Sequence, residues 1–136
     1  MKSRINFFLI IAMILMLIQI LLGISVREFV DNQIDILGLE KKDIWLEKPK
    51  LNFYVHRTFS LLVFLSNAYL FILAKKSKME MKFIKMINFL ILIEIIIGAC
   101  MYYFSFPILT QPIHLLISIL ILSLQFYWLL KLRKPY

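Results

Sequence analysis

Histidine occurs twice in the 136 residues, and each copy stands where an apolar run begins. The first lies in Phe53-Tyr54-Val55-His56-Arg57-Thr58-Phe59-Ser60, next to an arginine; the second lies in Gln111-Pro112-Ile113-His114-Leu115-Leu116. An ionisable group within a membrane span is costly, so it faces the protein interior and pairs or binds something. A single imidazole is explained well enough by a hydrogen bond to a neighbouring helix. Two at equal depth on related faces favour a shared ligand. Zinc normally takes three or four protein ligands, so a histidine pair suits it poorly. A haem iron has four positions filled by the porphyrin and takes one or two axial ligands, which facing helices of a bundle can supply. Cys100 is alone, which excludes a disulfide within the chain and a cysteine-based metal site; it reads as a small buried apolar residue.

The elements that must position these histidines are membrane helices. The chain is 62% hydrophobic and 18% charged, with a mean hydropathy of +0.85. Apolar runs fall at residues 5–26, 51–74, 83–106 and 111–130, each close to the ~20 residues that cross ~30 Å of hydrocarbon. The expected fold is therefore an all-α integral membrane four-helix bundle forming one domain. The first run is too long for a signal peptide, lacks a small-x-small cleavage pattern and precedes three more spans, so it reads as a retained helix.

The net charge of +8 is arranged for a membrane and not for nucleic acid. Lys2, Arg4, Lys75, Lys76, Lys78, Lys82, Lys85, Lys131, Arg133 and Lys134 flank the first end, the middle loop and the last end. By the positive-inside rule that side is cytoplasmic, with both termini inside, in a multi-pass protein of a bacterial or archaeal cytoplasmic membrane. The other basic residues sit in or beside the outer loop, 27–50, among acidic ones. From the end of the first run into that loop Val26, Val30, Ile34 and Leu37 recur at about helical period, so the first helix should continue as far as Gly38. Trp45 and Leu46 read as an interfacial anchor, Pro49 as the breaker before the second span, and Thr110 as a cap ahead of Pro112 in the fourth.

An internal repeat ties the two histidines together. His56, Ser60 and Asn67 share one face of the second span, and His114, Ser118 and Gln125 repeat that spacing in the fourth. The odd spans match as well, Gln19-x3-Gly23 against Glu94-x3-Gly98. The bundle is thus expected to be two parallel two-helix repeats about a pseudo-two-fold along the membrane normal, with His56 and His114 facing each other as axial ligands to haem iron. Phe53, Phe59, Phe104 and Phe106 are candidates for apolar walls. Arg57 and Arg27 lie at the outer interface, where they could meet haem propionates or simply snorkel to water. Glu94, near the middle of the third span, is a candidate proton relay or ligand partner, or else a protonated acid bonded to Gln19.

Gln-x3-Gly ending one outward helix, Tyr-x-His-Arg opening the next and Gln-Pro-x-His-Leu opening the last resemble the haem A synthase family. The likeness covers Gln19–Asp31, Phe53–Ser60 and Glu94–Gln125. Members of that family usually have eight helices in two four-helix halves, each with a histidine pair on its second and fourth helices, and this chain is the size of one half. The resemblance implies conversion of haem O to haem A in support of cytochrome oxidase assembly, with His56 and His114 as axial ligands to haem b, and haem O as a further candidate, as substrate. It also implies a homodimer or a second half-size chain, and partners in haem biosynthesis or oxidase assembly. Phe53 stands where the family's substrate half carries a glutamate, and the outer-loop cysteine pair is missing, so the chain is more similar to the half that holds a permanent haem. A haem b electron-transfer subunit of a quinone-linked complex and a four-helix transporter or assembly scaffold are the alternatives.

Overall fold

A computed structural model describes residues 2–133 and contains four long helices, α1 (Lys2–Leu37), α2 (Leu51–Lys76), α3 (Lys82–Tyr103) and α4 (Thr110–Arg133). All four are long and apolar enough to cross a membrane, and no strand occurs among the described residues. The protein is a four-helix, multi-pass integral membrane protein. Lys134, counted above with the basic flank, lies outside the described residues.

The helices pack in ring order, α1 against α2 and α4, and α3 against α2 and α4. Neighbours run antiparallel. Ser25, toward the end of the bundle that carries the α1–α2 connection and is called outer from the sequence expectation, accepts a hydrogen bond from Asn52 at the start of α2 (2.8 Å), while Arg4 at the opposite end of α1 reaches the Tyr69 hydroxyl late in α2 (3.3 Å). Lys131 near the end of α4 meets Glu80 just before α3 at 2.6 Å. The beginning of α1, the end of α4 and the basic loop between α2 and α3 therefore share one end of the bundle.

The repeat is carried into the packing. Leu9, Ala12 and Met16 are buried on α1, and their counterparts Ile84, Ile87 and Ile91 are buried on α3. Val63, Leu70 and Ala74 on α2 correspond likewise to Ile121, Trp128 and Leu132 on α4. The two-fold is visible in one bond: Gln125 Nε2 donates to Asn67 Oδ1 at 3.0 Å, between the diagonal helices α2 and α4, with both residues fully buried. Asn88 of α3 adds a hydrogen bond to the Asn67 carbonyl at 3.3 Å. In lipid, where apolar faces gain little from leaving water, close packing and such internal polar bonds hold helices together.

Outside this shared core, α1 is longer than a span. Its 36 residues reach about 54 Å against ~30 Å of hydrocarbon, and it stops at Leu37 because Gly38 follows at φ +85°, the left-handed conformation glycine adopts without strain. The connection to α2 folds back as a 3₁₀ turn at Lys42–Ile44. Trp45 differs from its expected role as an interfacial anchor: it is buried against Phe29 and Val30, its ring 5.4 Å from that of Phe106, and its indole N–H reaches the Gly38 carbonyl at 3.3 Å. The reason is the length of α1, whose protruding face needs apolar cover. Thr110 also departs from expectation. Its hydroxyl donates back to the Pro107 carbonyl at 2.6 Å and caps no amide of α4. The third helix stops at Tyr103, short of the expected Phe106, because Ser105 and Phe106 take positive φ in the turn before Pro107.

Candidate functional site

The inner half of the bundle is filled, the outer end is covered by the Trp45 cluster, and between them lies a cavity of about 760 Å³. Its size is in the range of cofactor and ligand sites. Met16 and Ile91, with Val63 and Ile121, belong to both the buried core and the cavity wall, so its floor is made of two repeat-related pairs. Val30, Leu46 and Phe106 line it on the side of the Trp45 cluster. His56 from α2 and His114 from α4 both line it.

Each histidine packs on the glycine of the preceding helix. A Cβ built on Gly23 would lie 3.2 Å from His56 Cε1, and one built on Gly98 would lie 3.6 Å from His114 Cε1. The glycines of the two Gln/Glu-x3-Gly segments are therefore cradles for the imidazoles of the same repeat, a relation that spacing along the chain could not disclose. Repeat symmetry holds for these contacts and breaks at the polar residue one turn earlier. Gln19 donates through Nε2 to the backbone carbonyl of His56 at 3.2 Å, while its Oε1 and the Nδ1 of His56 are buried without a hydrogen-bond partner. Glu94, by contrast, sets its carboxylate Oε2 against Nδ1 of His114 and accepts a hydrogen bond from the Ser118 hydroxyl through Oε1. The Oε2–Nδ1 contact is a close approach and not an aligned hydrogen bond, and neither atom has another polar partner. The expected bond between Glu94 and Gln19 is not formed, because each serves the histidine of its own repeat. The other repeat serine, Ser60, lines the cavity but bonds to the Arg57 carbonyl at 2.6 Å.

Arg27 and Arg57 both line the cavity toward its outer end. Arg27 is half-exposed and held by Asp31 at 2.8 Å, an exposed i,i+4 pair that contributes little to stability. Arg57 lies over the Tyr102 ring, 5.6 Å from its centroid. Tyr102, which sequence reasoning did not single out, also stacks on Phe53 at 5.5 Å and lines the cavity. Of the four phenylalanines expected as walls, Phe53 and Phe106 line the cavity; Phe59 packs against the inner core and Phe104 is exposed. Phe104 misses because the helix has already ended, and Phe59 because its position on α2 turns it from the cavity toward the core. Cys100 is half-buried, where full burial was expected.

The donor set discriminates among ligands. No group of three or more His, Cys, Asp or Glu side chains that could hold a metal ion occurs among the described residues, so a bare ion would lack ligands. Two imidazoles from opposite helices, glycine cradles that admit the rings, apolar walls and two outer guanidinium groups do fit a haem, whose porphyrin brings four ligands of its own. Glu94 against His114 is the carboxylate–histidine arrangement that orients metal-binding imidazoles.

Fold and site thus define a membrane four-helix bundle of two repeats enclosing a paired-histidine cavity. A family model described as cytochrome oxidase assembly protein, COX15-CtaA, matches residues 1–126, and the chain belongs to that family. No curated protein and no solved structure matches it.

Proposed function

We propose that this protein binds haem through His56 and His114 and acts in haem A biosynthesis as a haem A synthase-type oxidoreductase, converting haem O to haem A. The observation that carries the reading is that the two histidines of the chain line one cavity, each on the glycine cradle of its own repeat. Membership of a cytochrome oxidase assembly family supports it. When bound, the haem supplies one-electron iron chemistry with b-type character. The chain's own residues divide the remaining work. His56 and His114 would hold the iron; Met16, Val63, Ile91 and Ile121 would exclude water from the cavity floor; Arg27 and Arg57 would receive carboxylates at the outer end. Glu94 holds or passes a proton at Nδ1 of His114. The proposal extends to a homodimer, or a pair with a second half-size chain, in which a second histidine pair would stand beside this one.

Pigment analysis of the purified protein tests the reading. A haem absorbance that His56→Ala and His114→Ala abolish is expected, and a colourless wild-type protein would sink it. Haem A among the pigments extracted after coexpression with a haem O source separates the enzyme from an electron carrier. The carrier reading has one observation in its favour: Phe53, buried between Tyr54 and Tyr102, stands where the catalytic glutamate would, and Glu94 is the one carboxylate lining the cavity among the described residues. In that case the same histidines hold a haem b that moves electrons in a quinone-linked complex.

A further inference from the structure

We infer that Glu94 is a positioning residue for His114 and Gln19 its neutral counterpart for His56, so that the two imidazoles are unequal axial ligands and the charge at position 94 sets the haem's redox potential. The inference rests on the haem reading above and adds to it a division of roles within the repeat.

Two equivalent places in the repeat are filled differently. Glu94 and Gln19 each stand one turn before the glycine that cradles a histidine. At the first place a carboxylate oxygen meets Nδ1 of His114, and the Ser118 hydroxyl holds the other oxygen. At the second, Gln19 is anchored to the His56 carbonyl through Nε2, leaving its Oε1 and Nδ1 of His56 both buried and unpartnered on packed neighbouring helices. Buried polar atoms left alone are costly, and Gln19, whose amide already meets the His56 backbone, is the neutral side chain placed at that histidine where Glu94 stands at His114. Pairing at Nδ1 leaves Nε2 of each ring for iron, the usual role of such outer partners.

The two acceptors differ in strength. A carboxylate draws the Nδ1 proton harder than an amide oxygen, makes the imidazole more electron-rich and brings a negative charge close to the iron. Both effects favour the ferric state. His114 is therefore the stronger donor, and exchanging the acceptors exchanges the roles of the rings.

Redox titration of the full-length, haem-loaded protein in detergent tests this. Glu94→Gln is expected to favour the ferrous state about tenfold relative to wild type, an upward shift of about 59 mV for one electron, with the six-coordinate spectrum kept. Gln19→Glu should move the potential the other way, and the exchanged double variant, Q19E with E94Q, should return toward wild type. Ser118→Ala frees Oε1 from its hydroxyl donor, strengthens the carboxylate as an acceptor and should lower the potential; it serves as the second probe if Glu94→Gln does not accumulate. Haem-loaded E94Q and S118A proteins with wild-type potentials would overturn the inference and leave the haem reading intact. So would a double exchange that restores nothing while both single variants bind haem. A wild-type protein without haem would overturn both.

Discussion

Adding one methyl group to each glycine cradle should separate the two halves of the repeat. Glycine costs a helix interior about 1 kcal/mol relative to alanine, so Gly23→Ala and Gly98→Ala each carry a small intrinsic gain for the helix. The tertiary contacts differ. At Gly98 the new Cβ would stand 3.6 Å from His114 Cε1, an ordinary van der Waals contact. At Gly23 it would stand 3.2 Å from His56 Cε1, with Nδ1 at 3.7 Å and Nε2 at 4.0 Å, so the imidazole must swing away by a few tenths of an ångström. The protein without haem absorbs that movement into an open cavity at little cost. A metal site does not, since its ligands must be held to within about 0.5 Å and 10–20° of the productive geometry, and loss of supporting contacts around a ligating histidine costs roughly 10–100-fold in metal affinity. Gly23→Ala is thus expected to leave the unfolding temperature unchanged or slightly higher while weakening haem binding about tenfold, or about 1.4 kcal/mol. Gly98→Ala should change binding by no more than about twofold on the same scale. Haem titration of the purified proteins, with thermal melts of the haem-free forms, measures both. Equal binding by Gly23→Ala and wild type, or a larger loss in Gly98→Ala, would refute the cradle argument.

Four further expectations follow from particular contacts. Gln125→Ala leaves Asn67 Oδ1 buried and without its donor, so it should destabilise the bundle by about 1–2 kcal/mol, whereas replacing both Asn67 and Gln125 by leucine should cost less than the single change; detergent thermal melts compare them. Trp45→Ala opens the cluster over the protruding end of α1, and faster amide exchange in residues 39–50, with the inner core unchanged, is the expected signature. Phe53→Glu places a carboxylate one turn before Arg57, which can leave the Tyr102 ring to pair with it; haem A formation in coexpression should rise, and an unchanged composition of extracted haems would show that Phe53 does not limit the chemistry. The positive-inside rule puts both termini and the basic loop at the cytoplasm, so a cysteine at Lys78 in a Cys100→Ala background should resist impermeant labelling of intact cells and one at Glu40 should react; the reverse result would invert the topology.

The four helices and the parallel repeat were legible in the residues themselves. Apolar runs of membrane length force helices, because a backbone in lipid must satisfy its own hydrogen bonds. The His-x3-Ser-x6-Asn/Gln spacing marks one face of a helix whatever surrounds it. Asn67 meeting Gln125 follows from that face being turned inward in both copies. The family, too, was readable from the ordered motifs, since the residues that carry the likeness are local.

Other features depended on how the faces meet. Spacing put Glu94 and Gln19 at equivalent places, and a bond between them was a reasonable expectation until ring order set α3 beside α4 and α1 beside α2. That arrangement gives Glu94 to His114 and leaves Gln19 at the His56 backbone. Trp45 looked like a membrane anchor because its composition and position suit one; the uncovered face of a helix longer than the bilayer drew it inward instead. Tyr102 had no motif to mark it, and only packing set it beneath Arg57 and against Phe53. The chain's own order determines which residues lie on a common face, because helical period is a local property. Which of those faces enclose a cavity, and which polar atoms within it find partners, is decided by contacts between segments far apart in the sequence.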